Sequence, residues 1–216
     1  MKNIFLLFSG AMLLCQSFVV RADMPDPDVL IKNTVHEVLD VVRGDKELRS
    51  GNQKKLLELV DAKVLPHFNF EHMTKLAVGK SWRTATPEQK KALMSEFRVL
   101  LVRTYTKAFT SYRDQVVEIK PFKMDPAATD VTVKTAIVKP GSSQQPVLVD
   151  YDMEKMPDGW KVYDLTVEGV SLVTSYRGTF ADQIQQVGID GLIKTLTDKN
   201  NSAATNAAVA EKADSK

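Results

Sequence analysis

The feature that constrains this chain most is a double change in the spacing of its apolar residues. From Ile31 to Tyr112 they recur at helical spacing, from Gln115 to Val167 they alternate as in strands, and after Gly169 the helical spacing returns. This order of helices, strands and helices predicts an α+β domain in which helices lie across one face of a curved antiparallel sheet.

The clearest helix boundary in the sequence lies at Thr86. Thr86 offers a capping hydroxyl, Pro87 stands at the first helical position and Gln89 at the third. The apolar and aromatic stripe over 93–112 then predicts one long helix that spans the molecule. A second helix is predicted over 28–44, with Asp28 as its cap and a glycine at its end.

Four strands are predicted in the middle of the chain, separated by turns rich in proline, glycine and aspartate. Their ranges are 115–122, 130–139, 146–155 and 159–167. In the third strand, Val149 and Tyr151 share one face while Asp150 and Asp152 share the other. One face of the sheet is therefore expected to be apolar and the other wet.

The first 22 residues have the build of a secretory signal peptide. A positively charged start precedes a short apolar run, and the small residue Ala22 ends the segment. The mature chain is expected to begin near Asp23 and to reside in the periplasm. Acylation of Cys15, as in a lipoprotein, is the disfavoured alternative, because Leu14 before it is not small.

The charge balance argues against a nucleic-acid partner. The sequence has 29 basic and 27 acidic residues, and loss of Lys2 and Arg21 with the signal leaves 29 minus 2, or 27, against 27. Long-range attraction to nucleic acid or to an anionic membrane therefore has no basis in net charge. Binding must be sought in shape and apolar surface.

The last residues, 198–216, are expected to form a disordered tail. Val209 is the one sizeable apolar residue among them, so they cannot bury enough surface to offset their ordering entropy. The remaining range, 23–197, suits a single domain with one core.

Few side chains in the sequence suit catalysis. His36, His67 and His72 lack the spacing of metal ligands and are expected to be surface or loop residues, and no nucleophile, phosphate or dinucleotide motif occurs. Asp164 is the carboxylate most open to a role as a general base, since it stands between two apolar faces. Asp150 is expected on the wet face.

The long aromatic stripe of 93–112 has two interpretations. A helix that crosses a sheet buries such a face in a solid core by default. Here the apolar faces of this helix, of the sheet and of the segment 172–184 all compete for one interior. An apolar chamber between them is the alternative that we favour.

A series of short motifs resembles a known family. They are Leu65-Pro66 and Ala85–Gln89 in the first half, and Trp160–Asp164, Glu168–Leu172, Tyr176-Arg177, Phe180 and Gly188–Leu192 in the second. Together they resemble the MlaC family of periplasmic phospholipid-binding proteins, also called the toluene tolerance family. The resemblance spans 28–196 and departs from the family at Ser175, where relatives often have asparagine, and in the long tail.

The resemblance implies an NTF2-like cone with added helices and about four strands around a large apolar cavity that takes two acyl chains. It implies a bound phospholipid as cargo, no other cofactor, no metal and no catalysis. The implied partners are an inner-membrane ABC-type lipid transporter with its lipid-binding hexameric subunit and an outer-membrane lipoprotein complex. The family shuttles phospholipid between them.

The residues expected to line the cavity come from the long helix, the sheet and the helix that follows it: Phe97, Leu101, Tyr105, Phe109, Val133, Val149, Tyr151, Tyr163, Val170, Leu172 and Val173. Arg177 is expected either to contact a head-group phosphate at the mouth or to form a helix-surface ion pair. Two other functions stay open from the residues alone, a small-molecule isomerase or dehydratase with Asp164 or a histidine in the cavity, and an envelope chaperone.

Overall fold

The computed structural model describes residues 24–111 and 115–214, with side chains described for 24–105 and 115–202. The predicted signal peptide, including Cys15, lies outside the described residues. Within these ranges the helices are α1 Pro27–Gly44, α2 Lys46–Ser50, α3 Gln53–Lys63, α4 Phe70–Val78, α5 Pro87–Ser111 and α6 Leu172–Asp214. The strands are β1 Val116–Ile119, β2 Asp130–Val138, β3 Val147–Met156, β4 Gly159–Val167 and β5 Val170–Ser171.

The predicted start of α5 is confirmed in detail. The Gln89 N–H donates to the Thr86 hydroxyl at 3.2 Å, and the Thr86 N–H donates to the Gln89 side-chain oxygen at 3.0 Å. These reciprocal bonds satisfy two N–H groups that a helix end leaves open. For α1 the predicted cap is wrong, because Asp28 lies inside the first turn and Asp26 occupies the N-cap position.

None of the helices in the described ranges combines the length and the apolar character that crossing a bilayer requires. α1 and α3 carry their own small cluster of buried aliphatic residues, which joins them and α2 at one end of the fold. Its members are Val38, Val42, Leu48, Leu56 and Leu59.

The sheet is an antiparallel meander in the order β1-β2-β3-β4-β5, with each strand paired to the next. The four predicted strands are confirmed, although β1 is shorter than expected. β5 was not predicted because it has two residues and follows a tight turn in which Glu168 has a φ of 50° and Gly169 a φ of 81°. The α+β class is confirmed.

A β-bulge in β4 changes which side chains share a face. Asp152 pairs with Asp164 and Met153 pairs with Val162, which leaves Tyr163 as the extra residue. Regular alternation along β4 would group Tyr163 with Leu165, opposite Val162. That grouping is wrong, since Leu165 packs in the same apolar cluster as Val162 while Tyr163 packs in a different one.

Two larger clusters form the core. The helical cluster joins α4, α5 and α6 through Met73, Ala77, Val78, Trp82, Leu93, Phe97, Leu100, Leu101, Val173, Phe180, Leu192 and Leu196. The sheet cluster packs α1 against β2, β3 and β4 through Ile31, Val133, Met153, Trp160 and Val162. Val162 and Tyr163 are neighbours in β4 and contact different clusters, and Phe68 packs against both, so the two clusters meet at that strand.

α6 breaks at Gly188, whose φ of 73° is outside the helical region. The helix then continues to Asp214, which differs from the disordered tail predicted from residue 198. Asn200 explains the first part of this difference, because it is 5% exposed and donates from its side chain to the Glu96 backbone oxygen at 3.0 Å and to the Glu96 carboxylate at 2.7 Å. A polar residue is therefore buried by hydrogen bonding, which apolar content does not predict.

Gly191 lies just beyond the break at Gly188, and its close approach to Val187 can be tested by substitution. A Cβ added there would lie 2.5 Å from the Cβ of Val187, whereas one added at Gly178 in the same helix would meet nothing within 4 Å. We expect Gly191→Ala to lower the free energy of unfolding by about 1–3 kcal/mol. Gly178→Ala should leave it unchanged or raise it by up to about 1 kcal/mol. Equal urea midpoints for the two variants would contradict the packing.

Candidate binding site

The clearest sign of internal space is Tyr151 in the middle of β3. Burial raises the pKa of its phenol to about 12, and a hydrogen bond with Thr135 opposes this shift. The side chain nevertheless keeps some accessible surface. A residue that is surrounded by protein and still accessible does not belong to a completely filled core.

Thr135 is the polar member of this face and the sequence did not point to it. Its hydroxyl donates to the Val149 carbonyl oxygen at 3.0 Å, and the residue is fully buried. The neighbouring strand β3 thereby satisfies the hydroxyl of Thr135. The apolar part that the side chain has left to contribute is its methyl group. From the sequence alone, a threonine in a strand can face either the core or the solvent. The buried position of Thr135 could therefore not be predicted.

On the helical side, Tyr105 of α5 faces Tyr176 of α6. Burial, followed by the interaction with Tyr176, raises the pKa of Tyr105 to about 12. Further along the same helices, Phe97 is 0% exposed and its ring meets the rings of Tyr176 and Phe180 edge-on at 5.3 Å each. The stripe of α5 is therefore packed solid at Phe97 and remains accessible at Tyr105.

The residues predicted to line one cavity are distributed over the two core clusters. Phe97, Leu101 and Val173 are buried in the helical cluster, with Tyr105 and Tyr163 packed against it. Val133 belongs to the sheet cluster, and Tyr151 packs against that cluster. Val149 and Leu172 are buried, Val170 is 59% exposed beside the β4–β5 turn, and the side chain of Phe109 lies outside the described residues.

Arg177 is exposed on the first turns of α6 and lies over Gly79. A Cβ added to Gly79 would be 3.5 Å from the Arg177 Nε atom. Among the residues whose side chains are described, Arg177 forms no ion pair. None of the described side chains therefore provides the helix-surface ion pair considered from the sequence.

Asp164, the candidate general base, is fully engaged in structure. It is 6% exposed, one carboxylate oxygen accepts from the N–H groups of Leu165 at 2.7 Å and Val173 at 3.1 Å, and the other accepts from the Ser171 hydroxyl. These bonds tie β4 to the start of α6. Three of the roughly four acceptor sites of the carboxylate are thus used by the fold, and the group has little exposed surface.

His72, expected from the sequence to be a surface or loop residue, is partly buried and has structural partners. It lies in α4, its Nδ1 atom is 2.8 Å from a Glu154 carboxylate oxygen, and its ring stacks on Tyr163 with centroids 4.4 Å apart. The Asn69 amide donates to the same Glu154 oxygen at 2.8 Å. Sequence reasoning missed this set because Glu154 comes from β3, far along the chain.

Among the described residues, the other two histidines have no comparable carboxylate and ring contacts. His36 is exposed on α1, and burial, together with nearby Lys161, lowers the pKa of His67. In the part of the chain that the structure describes, no three His, Cys, Asp or Glu side chains are placed to hold a metal ion. The acidic face of β3 is wet as predicted, with Asp150 paired to Lys134 at 2.7 Å.

A cleft of about 410 Å³ opens at the surface between the β1–β2 connection and β2. Its walls mix apolar and charged residues, which differs from the apolar chamber predicted from the sequence. They are Pro121, Phe122, Lys123, Met124, Asp125, Ala128, Asp130, Val131, Thr132 and Lys134.

The buried phenol of Tyr151 predicts an alkaline loss of stability. Its pKa is about 12 in the folded chain and about 10 when exposed, so unfolding releases a proton above pH 10. This contribution is intact below pH 10 and is lost as the pH rises towards 12. Tyr151→Phe should remove that part of the decline, about 2–3 kcal/mol. Parallel urea unfolding curves for the two proteins, with an unchanged gap from pH 9 to pH 12, would contradict it.

Comparison with known proteins identifies the family of this chain. A family model described as MlaC protein matches residues 32–198, which is most of the chain. The chain belongs to the MlaC family. The resemblance inferred from the short motifs is thereby confirmed, and the MlaC match includes the bulged strand, the turn after it and both parts of α6 up to residue 198.

Individual relatives of this MlaC family member support the same family assignment. The toluene tolerance protein ttg2D of Pseudomonas putida is 26% identical over 196 residues, 89% of each chain. The intermembrane phospholipid transport system binding protein MlaC of Haemophilus influenzae is 22% identical over 172 residues, 79% of this chain and 80% of the relative.

A solved structure similar to this chain is the phospholipid-binding protein of Ralstonia solanacearum in complex with a phospholipid. It is 39% identical, with a TM-score of 0.76, and the match covers 83% of this chain and 99% of that one. The mixed fold of helices and an antiparallel sheet is therefore shared with a protein whose structure contains a phospholipid.

Proposed function

We propose that this chain binds a phospholipid, holds its acyl tails in the interior between α5 and the sheet face of Tyr151, and carries it through the periplasm. One observation supports this above the others. A structure 39% identical to this chain, matched over 99% of its own length, contains a phospholipid. The partial exposure of the otherwise buried Tyr151 supports the choice of this face for the tails.

The physical need for a closed interior follows from the cost of exposing hydrocarbon. At about 0.8 kcal/mol per methylene, an acyl chain of roughly 16 carbons costs on the order of 10 kcal/mol to expose to water. A diffusing lipid needs a container that returns this free energy. Because apolar transfer is non-directional, such a container accepts tails of different length and saturation.

We assign the lining to residues that border this interior from both sides. Leu101 and Tyr105 of α5 form the helical wall, and Val149 and Tyr151 of β3 form the sheet wall, with Val133 beside them. Phe109 follows Tyr105 by four residues in the sequence, and its helical spacing alone keeps it in the proposed lining. Phe97, Tyr163, Leu172 and Val173 back this lining, Val170 stands at its rim, and Arg177 is the candidate contact for the head-group phosphate.

We further propose that the cargo passes between an inner-membrane ABC-type transporter with its hexameric lipid-binding subunit and an outer-membrane lipoprotein complex. The name of the Haemophilus influenzae relative, an intermembrane phospholipid transport system binding protein, supports transport between membranes. The signal-peptide pattern of residues 1–22 supports a periplasmic location. Chemistry on the lipid is not part of the proposal, since Asp164 is committed to the fold.

A transfer assay tests the carrier role. Donor vesicles hold a fluorescent phospholipid beside a quencher, acceptor vesicles hold neither, and the full mature chain is added at increasing concentration. We expect the rate at which fluorescence appears to rise in proportion to the protein, while an unrelated soluble protein of similar size has no effect. A rate independent of the protein would overturn the proposed function as a carrier.

A further inference from the structure

A group of five cations surrounds the short 3-10 turn Gly79–Arg83, and we call it the basic patch: Lys75, Lys80, Arg83, Lys90 and Arg177. Lys80 and Arg83 belong to the turn itself. Lys75 precedes it by one helical turn, and its carbonyl accepts the Gly79 N–H at the end of α4.

The remaining two cations reach the same turn from other helices. The guanidinium of Arg177 in α6 lies over Gly79, 3.5 Å from where a Cβ would stand. The ammonium of Lys90 in α5 lies 5.5 Å from the centre of the Trp82 ring. Positive charge from three helices and the turn therefore converges on one small part of the surface.

This charge is not balanced locally. No cation of the basic patch forms an ion pair with any acidic residue in the described ranges, and all but Lys90 are exposed. Glu88 is the one acid in the sequence from 74 to 91, and hydrogen bonds with its own N–H and with Thr86 lower the pKa of its carboxyl. Glu71 lies one turn before Lys75 without pairing to it.

Unpaired cations such as Lys46, Arg49 and Lys54 occur elsewhere on the described surface, and what sets the basic patch apart is that its five cations gather around one turn. Other cations are neutralised by acids. Lys55, Lys63, Arg98, Lys134 and Lys194, among others, each lie within 4 Å of a carboxylate. The basic patch is thus a local excess on a chain whose mature part has no net charge. Such an excess attracts anions over about one Debye length, close to 8 Å at physiological salt.

The patch also lacks the apolar centre of a protein interface. The large apolar residues that the described surface exposes are Val29, Val41, Val116, Leu148, Val170 and Val187, and none of them belongs to it. Trp82, in its middle, is buried. Specific protein interfaces have an apolar, desolvated core, whereas attraction to an anionic bilayer needs cations alone.

We propose that the basic patch docks the protein peripherally on bilayers rich in anionic phospholipid. This proposal rests on the proposed function, since a lipid carrier must approach membranes to load and unload. Charge without an apolar anchor gives contact that is weak, reversible and sensitive to salt, as suits a protein that must leave again.

The test compares two triple variants of the full mature chain that change the net charge equally. The patch variant is Lys75→Glu, Lys80→Glu and Arg83→Glu, which leaves Arg177 in place. The control variant is Lys46→Glu, Arg49→Glu and Lys54→Glu, three exposed cations on α2 and α3 that also form no ion pair among the described residues. Binding is measured by cosedimentation with phosphatidylcholine vesicles, with and without phosphatidylglycerol, at low and high salt.

We expect wild type and the control variant to bind only the anionic vesicles, and to lose binding at high salt. The patch variant should bind them about a hundredfold more weakly. Binding by the patch variant equal to that of the control would overturn the proposal, and so would absence of vesicle binding by wild type. Lys80→Glu alone, with an intermediate effect, is the second variant if the triple one fails to fold.

Extraction of lipid from the same preparations keeps the two hypotheses apart. Wild type that carries phospholipid but ignores anionic vesicles would overturn membrane docking and leave the proposed function standing. Wild type without phospholipid would count against the proposed function itself. Patch-dependent binding to an acidic protein, without binding to vesicles, would also overturn docking on bilayers.

Discussion

Phe97→Ala should lower the free energy of unfolding by about 3–5 kcal/mol, the largest loss of stability that we expect from a single substitution. Phe97 has no exposed surface and its ring meets those of Tyr176 and Phe180 edge-on. The substitution removes the apolar contacts of a whole ring and leaves a cavity that the rigid junction of α5 and α6 cannot close. Urea unfolding followed by circular dichroism measures the change.

Val187→Ala in α6 is the matched control for Phe97→Ala. Val187 is 58% exposed, so its truncation should change stability by no more than about 0.5 kcal/mol. If Phe97→Ala were as mild as Val187→Ala, the junction of α5 and α6 would not be the packed core described here.

Tyr151→Glu should abolish retention of phospholipid while the domain stays folded. Glutamate is smaller than tyrosine and fits the space that the ring vacates. A carboxylate against acyl tails nevertheless lacks the donors that it needs, because the nearby Thr135 hydroxyl already donates to the Val149 carbonyl. We expect the fraction of purified protein that carries lipid to fall to less than about a tenth of the wild-type value. Native mass spectrometry measures this fraction, and circular dichroism reports folding.

Tyr151→Phe separates the role of the charge from that of the side chain. It keeps the ring and removes only the hydroxyl, so lipid content should match wild type. Retention of phospholipid by folded Tyr151→Glu would show that Tyr151 does not border the tails, and the assigned sheet wall would then be wrong.

Local sequence signals located the elements because their chemistry is local. The reciprocal bonds of Thr86 and Gln89 start α5 where the capping pattern placed them. The turns rich in proline and glycine delimited the four longer strands, and Gly188 marked the break in α6. In each case the residues that decide the geometry lie within one turn of each other.

The features that the sequence did not reveal depend on distant partners. A single extra residue, Tyr163, moves one aromatic ring from the sheet cluster to the helical cluster, and alternation alone cannot locate such a bulge. His72 finds Glu154 across the fold, and Asn200 finds Glu96. Each was assigned to the surface or the tail because its partner was unknown.

In the candidate site, some positions were predicted correctly from the sequence and others were not. Period-two spacing correctly placed Val149 and Tyr151 on the buried face of β3. Helical spacing placed Phe97 and Tyr105 on the same apolar stripe of α5. In the structure, Phe97 is completely buried against α6, whereas Tyr105 keeps accessible surface. Periodicity identifies the face that is buried, and the position of α6 decides whether that face meets protein or open space.

The most direct test of lipid binding is native mass spectrometry of the mature chain purified without detergent. The account predicts a protein peak heavier than the bare chain by one two-tailed phospholipid, and a return to the bare mass after extraction with organic solvent. A population at the bare mass alone, or one bearing a small metabolite or a peptide, would contradict it.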